Sequence, residues 1–224
     1  MKFRSMLFAA ISLVFTLNCS PLSFAAEPAA IQLPNPQKEG GKPLLSVLND
    51  RKSSRSFSDE KLSMQTLSNL LWAAFGINRP DGKRTAPSAR DWQETDIYVA
   101  TPDGVYLYDA KKNTLETVLS KDIRAMTGTQ SYVKDAAVNL IYVADYARID
   151  QREGDKQDTS GPARMALVGT DVGLIAENVY LFCASEGLAT VIRDSMDREP
   201  LAKEMKLRPE QKIILSQSVG YLKK

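Results

Sequence analysis

The sequence predicts an α+β fold, a central and mostly antiparallel sheet wrapped by helices, with one long helix at its heart. Three observations carry this. Thr95–Thr101 and residues 105–109 alternate in hydrophobicity on either side of Pro102-Asp103-Gly104, the pattern of a hairpin. Residues 138–144 (Val-Asn-Leu-Ile-Tyr-Val-Ala) form a mostly apolar run, typical of a central strand. Pro162–Glu186 keeps helical spacing through Met165, Val168, Val172, Ile175, Val179 and Phe182, while Leu167, Leu174 and Leu181 widen the stripe beyond one face. Such a helix is expected to be buried on most sides, either centrally or at a subunit interface.

The remaining elements follow in order. Residues 1–25 read as a signal peptide: Lys2 and Arg4 precede the short apolar run 6–17, and Ser23-Phe24-Ala25 sets cleavage before Ala26. The run is too short to anchor in a bilayer. Asn18 directly before Cys19 argues against lipidation there. Residues 26–42, rich in Pro, Ala and Gly, read as an extended linker, so the folded domain is expected over 43–224. Residues 43–49 suit a short helix opened by Pro43. A second helix starts at Ser63, runs through Met64, Leu67, Leu70, Leu71, Ala74 and Phe75, and stops at Gly76. Thr114–Leu119 adds a strand, and the polar stretch 150–161 reads as a mobile loop. After Gly187 come a short strand over 188–192, a helix over 198–205 stopped before Pro209, and a closing strand over 212–219. No internal repeat is visible.

Composition excludes several chemistries. The chain has no histidine, which removes a His general base, a Ser-His-Asp triad and the usual zinc sites. Loss of Lys2 and Arg4 with the leader brings the 29 basic residues level with the 27 acidic ones, so nothing points to nucleic acid or an anionic membrane. Cys183 is then the sole cysteine of an exported chain, and its apolar neighbours suit a small buried hydrophobe. A bound organic cofactor is the natural carrier of any redox chemistry.

Two stretches suit such a cofactor. Arg51-Lys52-Ser53-Ser54-Arg55-Ser56-Phe57 gathers three cations and several hydroxyls, donors for a phosphate and a polyol chain. Arg84-Thr85-Ala86-Pro87-Ser88-Ala89 is a Pro-Ser loop leading into a strand. Alone, the first stretch reads more readily as a solvated basic helix end than as a phosphate site.

Together with Leu70-Leu71-Trp72-Ala73-Ala74-Phe75-Gly76-Ile77-Asn78 and Gly187-Leu188-Ala189-Thr190-Val191, these motifs resemble the FMN-dependent nitroreductase family, in particular its short form related to thiazole/oxazole-forming dehydrogenases. The resemblance runs from about Pro43 to the C-terminus and implies the family's fold. Arg51, Ser53 and Arg55 match positions that hold the FMN phosphate and ribityl chain, with Lys52 beside them. Pro87, Ser88 and Ala89 match the loop at the flavin edge. Asp91 stands where the family usually has an Asn that bonds the pyrimidine part of the ring, and it faces either the flavin or solvent. Asn178 matches a polar side chain that reaches the flavin, although a neighbouring carbonyl would also satisfy it. Ile192, Arg193 and Asp194 match the segment whose backbone lies against the ring; Arg193 reads as a cation near the substrate or as a surface residue. Longer family members clamp the phosphate with basic residues past the last strand, whereas this chain stops at Lys223-Lys224.

What the resemblance implies is an exported, periplasmic or secreted FMN oxidoreductase. It would pass hydride by a ping-pong mechanism from NAD(P)H or another donor to a small organic acceptor, nitroaromatic, quinone-like or other. A homodimer with FMN between subunits is implied, with no catalytic side chain, metal, nucleic acid or membrane insertion. The alternative is a non-catalytic flavin- or ligand-binding protein on the same fold, to which export lends weight because NAD(P)H is scarce outside the cytoplasm.

Overall fold

Every residue of strand β5 (Val138–Asp145) is buried, because the sheet it centres is covered on both faces. The computed structural model describes residues 30–150 and 161–224. The leader with Cys19 and residues 151–160 of the expected loop lie outside the described residues. Seven strands form one antiparallel sheet in the order β1-β4-β3-β2-β5-β7-β6. They are β1 (Ile31–Gln32), β2 (Thr95–Thr101), β3 (Gly104–Asp109), β4 (Thr114–Leu119), β5, β6 (Leu188–Arg193) and β7 (Gln211–Tyr221). The helices are α1 (Leu44–Asp50), α2 (Met64–Phe75), α3 (Tyr146–Asp150), α4 (Pro162–Glu186) and α5 (Arg198–Glu204). The fold is α+β.

The two-residue period of a strand sorts the core. Val138, Leu140 and Tyr142 of β5 meet α2 and α4, packing with Leu70, Leu71, Val172, Ile175 and Val179. Ile141 and Val143 point the other way, onto Leu201 and Met205 at α5. The β2–β3 hairpin turns at Pro102 and Asp103 with Thr101 paired to Gly104, and Thr101 Oγ1 accepts the Asp103 amide at 3.1 Å. Ser63 caps α2 by accepting the Thr66 amide at 3.0 Å. Gly76 ends α2 for a reason other than a left-handed turn: its φ is −72°, but a Cβ there would sit 2.3 Å from the Trp72 ring. Gly187 does close α4 in the left-handed region, at φ 71°.

One expectation needs correction. Residues 31–34 are not a free linker: β1 pairs with β4, Leu33 is 2% exposed, and the Pro34 carbonyl accepts from Ser68 Oγ and from Asn113 Nδ2 at 2.8 Å. One buried leucine and satisfied carbonyls dock what composition reads as extended. Within one chain α4 is buried along the side that faces the sheet, and the wider burial expected of it is left to a subunit interface. Val168, Val172, Ile175, Val179 and Cys183 are fully buried, whereas Ala166, Thr170, Gly173, Leu174 and Glu177 form an exposed face. The helix is long and apolar enough to cross a membrane by length and composition, but its apolar stripe lies on the sheet. Cys183 is a core side chain, and burial raises its thiol pKa.

Candidate cofactor site

The chain leaves α1 extended, with Arg51 at φ −56° and ψ 123°. It then runs along the open edge of β6, where the Ser54 amide donates to the Thr190 carbonyl at 2.9 Å. Side chains of an extended segment alternate. The Arg51 guanidinium lies 5.5 Å from the Tyr180 ring centroid, and Ser53 Oγ is 2.9 Å from Tyr180 Oη. Lys52 and Ser54 line a neighbouring cleft of about 440 Å³ with Lys42, Asn49 and Thr190. Arg51 and Ser53 thus share the Tyr180 phenol, while Lys52 and Ser54 line the cleft, whose wall also includes Tyr180. Tyr180, buried on α4, accepts the Ile192 amide at 3.0 Å, so one phenol ties the basic segment to the β6 edge. With Tyr180 donating to Ser53, the serine proton is left for an anion. No carboxylate lies within ion-pair distance of Arg51, Lys52 or Arg55 among the described residues.

The Pro-Ser loop is held from beneath. Arg84 donates to the Phe75 carbonyl and to Gln93 Oε1, both at 2.9 Å, and lies over the Phe75 ring. Ala89–Asp91 make one 3-10 turn; Ser88 Oγ accepts the Gln93 amide at 3.0 Å and Asp171 Oδ2 accepts the Ala89 amide at 2.8 Å. Arg90, Asp91 and Gln93 all have left-handed backbone, at φ 49°, 57° and 49°. Three such residues cost roughly 1–3 kcal/mol each, and this density of anchors keeps them. Pro87 and Asp91 are exposed, and Asp91 Oδ1 accepts from Gln93 Nε2 at 3.0 Å.

Asn178 is half-buried and donates to the Ala74 carbonyl at 3.4 Å. At the β6 edge, Thr190 and Ile192 direct backbone groups outward. The two-residue repeat therefore makes Asp194 the next outward amide, while Arg193 faces β7 opposite Ser216. The Asp194 side chain is exposed and pairs with Arg198. Arg193 corrects both side-chain expectations. It is 5% exposed and donates to the Thr127 carbonyl at 2.6 Å and to Asn139 Oδ1 at 3.0 Å. Burial pulls its guanidinium down to about 10. Strand alternation turns residue 193 inward, so it is a core cation rather than a substrate contact. At the C-terminus, Leu222 pairs with Phe57 and the Lys223 amide donates to the Ser56 carbonyl, which sets the last lysines beside the basic segment.

The structure ties both candidate stretches to α4. The basic segment meets Tyr180 and the Pro-Ser loop meets Asp171, about two and a half turns apart, or ~13 Å along the helix and half a turn around it. Sequence reading passed over both organisers. Asp171 carries a faint signal, an acid on the stripe of Val168, Val172 and Ile175; Tyr180 carries none beyond being a phenol in an apolar run.

Comparison with known proteins agrees with this architecture. Three proteins bearing the name "putative nitroreductase" resemble the chain. A protein of Methanocaldococcus jannaschii is 32% identical over 155 residues, covering 65% of this chain and 75% of its own. A crystal structure from Ralstonia eutropha JMP134 is 39% identical at a TM-score of 0.81, covering 89% of this chain and 92% of that one. One from Anabaena variabilis ATCC 29413, 18% identical at a TM-score of 0.72 and covering 87% and 42%, shares the fold. The Nitroreductase family model matches residues 48–221. The chain belongs to the nitroreductase family of oxidoreductases, which generally use flavin cofactors.

Proposed function

We propose that this protein is an exported, homodimeric FMN oxidoreductase that reduces a small organic acceptor by ping-pong hydride transfer. The observation that carries this reading is the donor set of the basic segment: the Arg51 guanidinium and the Ser53 hydroxyl are gathered at Tyr180, with Arg55 two residues on, and among the described residues neither arginine has a carboxylate partner. That set fits a phosphate and the polyol next to it, since guanidinium forks give parallel bonds to phosphate oxygens. Arg51 and Arg55 would hold the phosphate and Ser53 the ribityl chain. The Pro87–Ser88–Ala89 loop, just ahead of the left-handed residues Arg90 and Asp91, would meet the ring edge, with Asp91 near its pyrimidine side and the outward Asp194 amide on the β6 edge. FMN, when bound, supplies a ring that takes hydride from one substrate and returns it to the next. The protein's part is to bind, orient and leave one face open. No side chain in the set is placed to donate a proton, so water or the acceptor serves.

A shared site is favoured by the placement of the two candidate stretches at opposite edges of the exposed face of α4. A second copy docked on that face would bring the basic segment of one beside the loop of the other. Export is supported by the leader-like character of residues 1–25.

The test is colour and affinity. The purified leaderless protein is expected to be yellow with non-covalent FMN and to bleach with NADH or NADPH. Arg51→Ala should weaken FMN binding by about 2–5 kcal/mol if the phosphate contact is desolvated. Unchanged affinity removes the phosphate assignment. Tight FMN without bleaching by any nicotinamide favours the flavin-binding alternative.

A further inference from the structure

Beneath the Pro-Ser loop lies a second carboxyl that neither motif nor resemblance singles out. Glu94 is fully buried and Asp171 is 3% exposed. Glu94 Oε1 accepts from Thr95 Oγ1 at 3.1 Å, while Oε2 has no partner if the group is ionised. Two buried carboxylates side by side are not tolerated; one proton between them is. We propose that Glu94 carries that proton and donates it from Oε2 to the Asp171 carboxylate, and that the pair positions the Pro87–Ser88–Ala89 loop through the Ala89 amide. The orphan oxygen then becomes a donor, and Asp171 is free to accept on both sides.

The charged and titratable groups around the pair support this assignment. From α4 comes Asp171 itself, against Glu94. From α3 come Tyr146 and Arg148, with Arg164 5.7 Å from the Tyr146 ring. Arg148 is the cation that faces Glu94, but its nitrogens go to the Gln93 carbonyl at 2.9 Å and to Asp96 at 2.5 and 2.6 Å. Trp92 and Val168, close to Glu94 and Asp171 in sequence, form one buried apolar cluster with Ile149 of α3. Burial pushes both carboxyls above their ordinary range, with the Ala89 amide and Glu94 drawing Asp171 back down. The pair titrates as a unit. Because the folded value is raised, its contribution to stability is complete below the ordinary carboxyl range and is lost as pH rises through the folded value.

Only the purpose of the loop rests on the FMN reading; the test of the pair does not. Infrared spectra of the purified protein recorded just above the ordinary carboxyl range should show a protonated-carboxyl C=O band that Glu94→Gln lacks. No such band in the wild type, or its persistence in Glu94→Gln, overturns the proton's place. Tryptic cleavage at Arg90 reads the loop. Asp171→Ala should be cut roughly tenfold or more faster than wild type. Asp171→Asn, whose amide oxygen still accepts from Ala89, should be cut at the wild-type rate. Equal rates in all three overturn the positioning role. Should Asp171→Ala fail to fold, the pH profile decides: cleavage of the wild type should accelerate with rising pH and that of Glu94→Gln should not. A flat wild-type profile overturns the pair. Both readouts hold without flavin, so a protein that passes them yet binds no FMN sinks the function proposed above and leaves the pair standing.

Discussion

Tyr180 and Asp91 show what single side chains contribute here. Tyr180 spends its hydroxyl on Ser53 and the Ile192 amide and its ring face on Arg51, so one phenol fixes three parts of the basic cluster. Asp91 is exposed, left-handed at φ 57°, and accepts from Gln93. Asn tolerates that backbone and keeps an acceptor for Gln93, so Asp91→Asn should leave folding unchanged. On the proposed flavin, the aspartate's charge opposes the reduced anionic ring, and its removal should raise the midpoint potential. The effect should be on the order of 1 kcal/mol, since an exposed charge acts through high dielectric. A spectroelectrochemical titration giving equal potentials would put Asp91 away from the ring.

Among the elements, the extended stretch after α1 makes the sharpest claim. Continued alternation would put Arg55 with Arg51 and Ser53, whereas Lys52 lines the cleft beside Ser54. Arg55→Ala should therefore cost FMN affinity on the scale of Arg51→Ala, about 2–5 kcal/mol, while Lys52→Ala costs less than about 1. Equal losses measured by flavin titration would break the alternation. The same periodicities explain what was legible beforehand. Residues 138–144 and Met64 to Phe75 announce themselves because one period runs unbroken through apolar side chains. Residues 31–34 do not, because a two-residue strand with one buried leucine has no period to read. The local order of the basic and Pro-Ser motifs was readable, whereas the depth of Arg193 was not. Its partners, Thr127 and Asn139, lie far away in sequence and meet it only across the assembled sheet.

At the scale of the whole molecule, one chain holds its two candidate stretches apart on α4. Asp171 and Tyr180 flank the exposed face of α4, and that face carries small residues, Ala166, Thr170 and Gly173, around Leu174, which is 41% exposed. A Cβ added at Gly173 would meet nothing within 4 Å, so the surface is open to close approach by another helix. A polar side chain at position 174 faces solvent in a single chain and costs its fold little. In a dimer packed on this face it would bury an unpaired charge, at a cost of several kcal/mol. Leu174→Glu should therefore leave thermal unfolding of the isolated subunit nearly unchanged, shift sedimentation from dimer to monomer, and release FMN in the same step. The coupling is the informative part. If the variant is monomeric yet keeps wild-type FMN affinity, each subunit holds its own flavin and the split of the site across α4 has no functional meaning. If wild type itself sediments as a flavin-bearing monomer, the exposed face of α4 needs another explanation, and Arg51 and the Pro87–Ala89 loop cannot serve one ring.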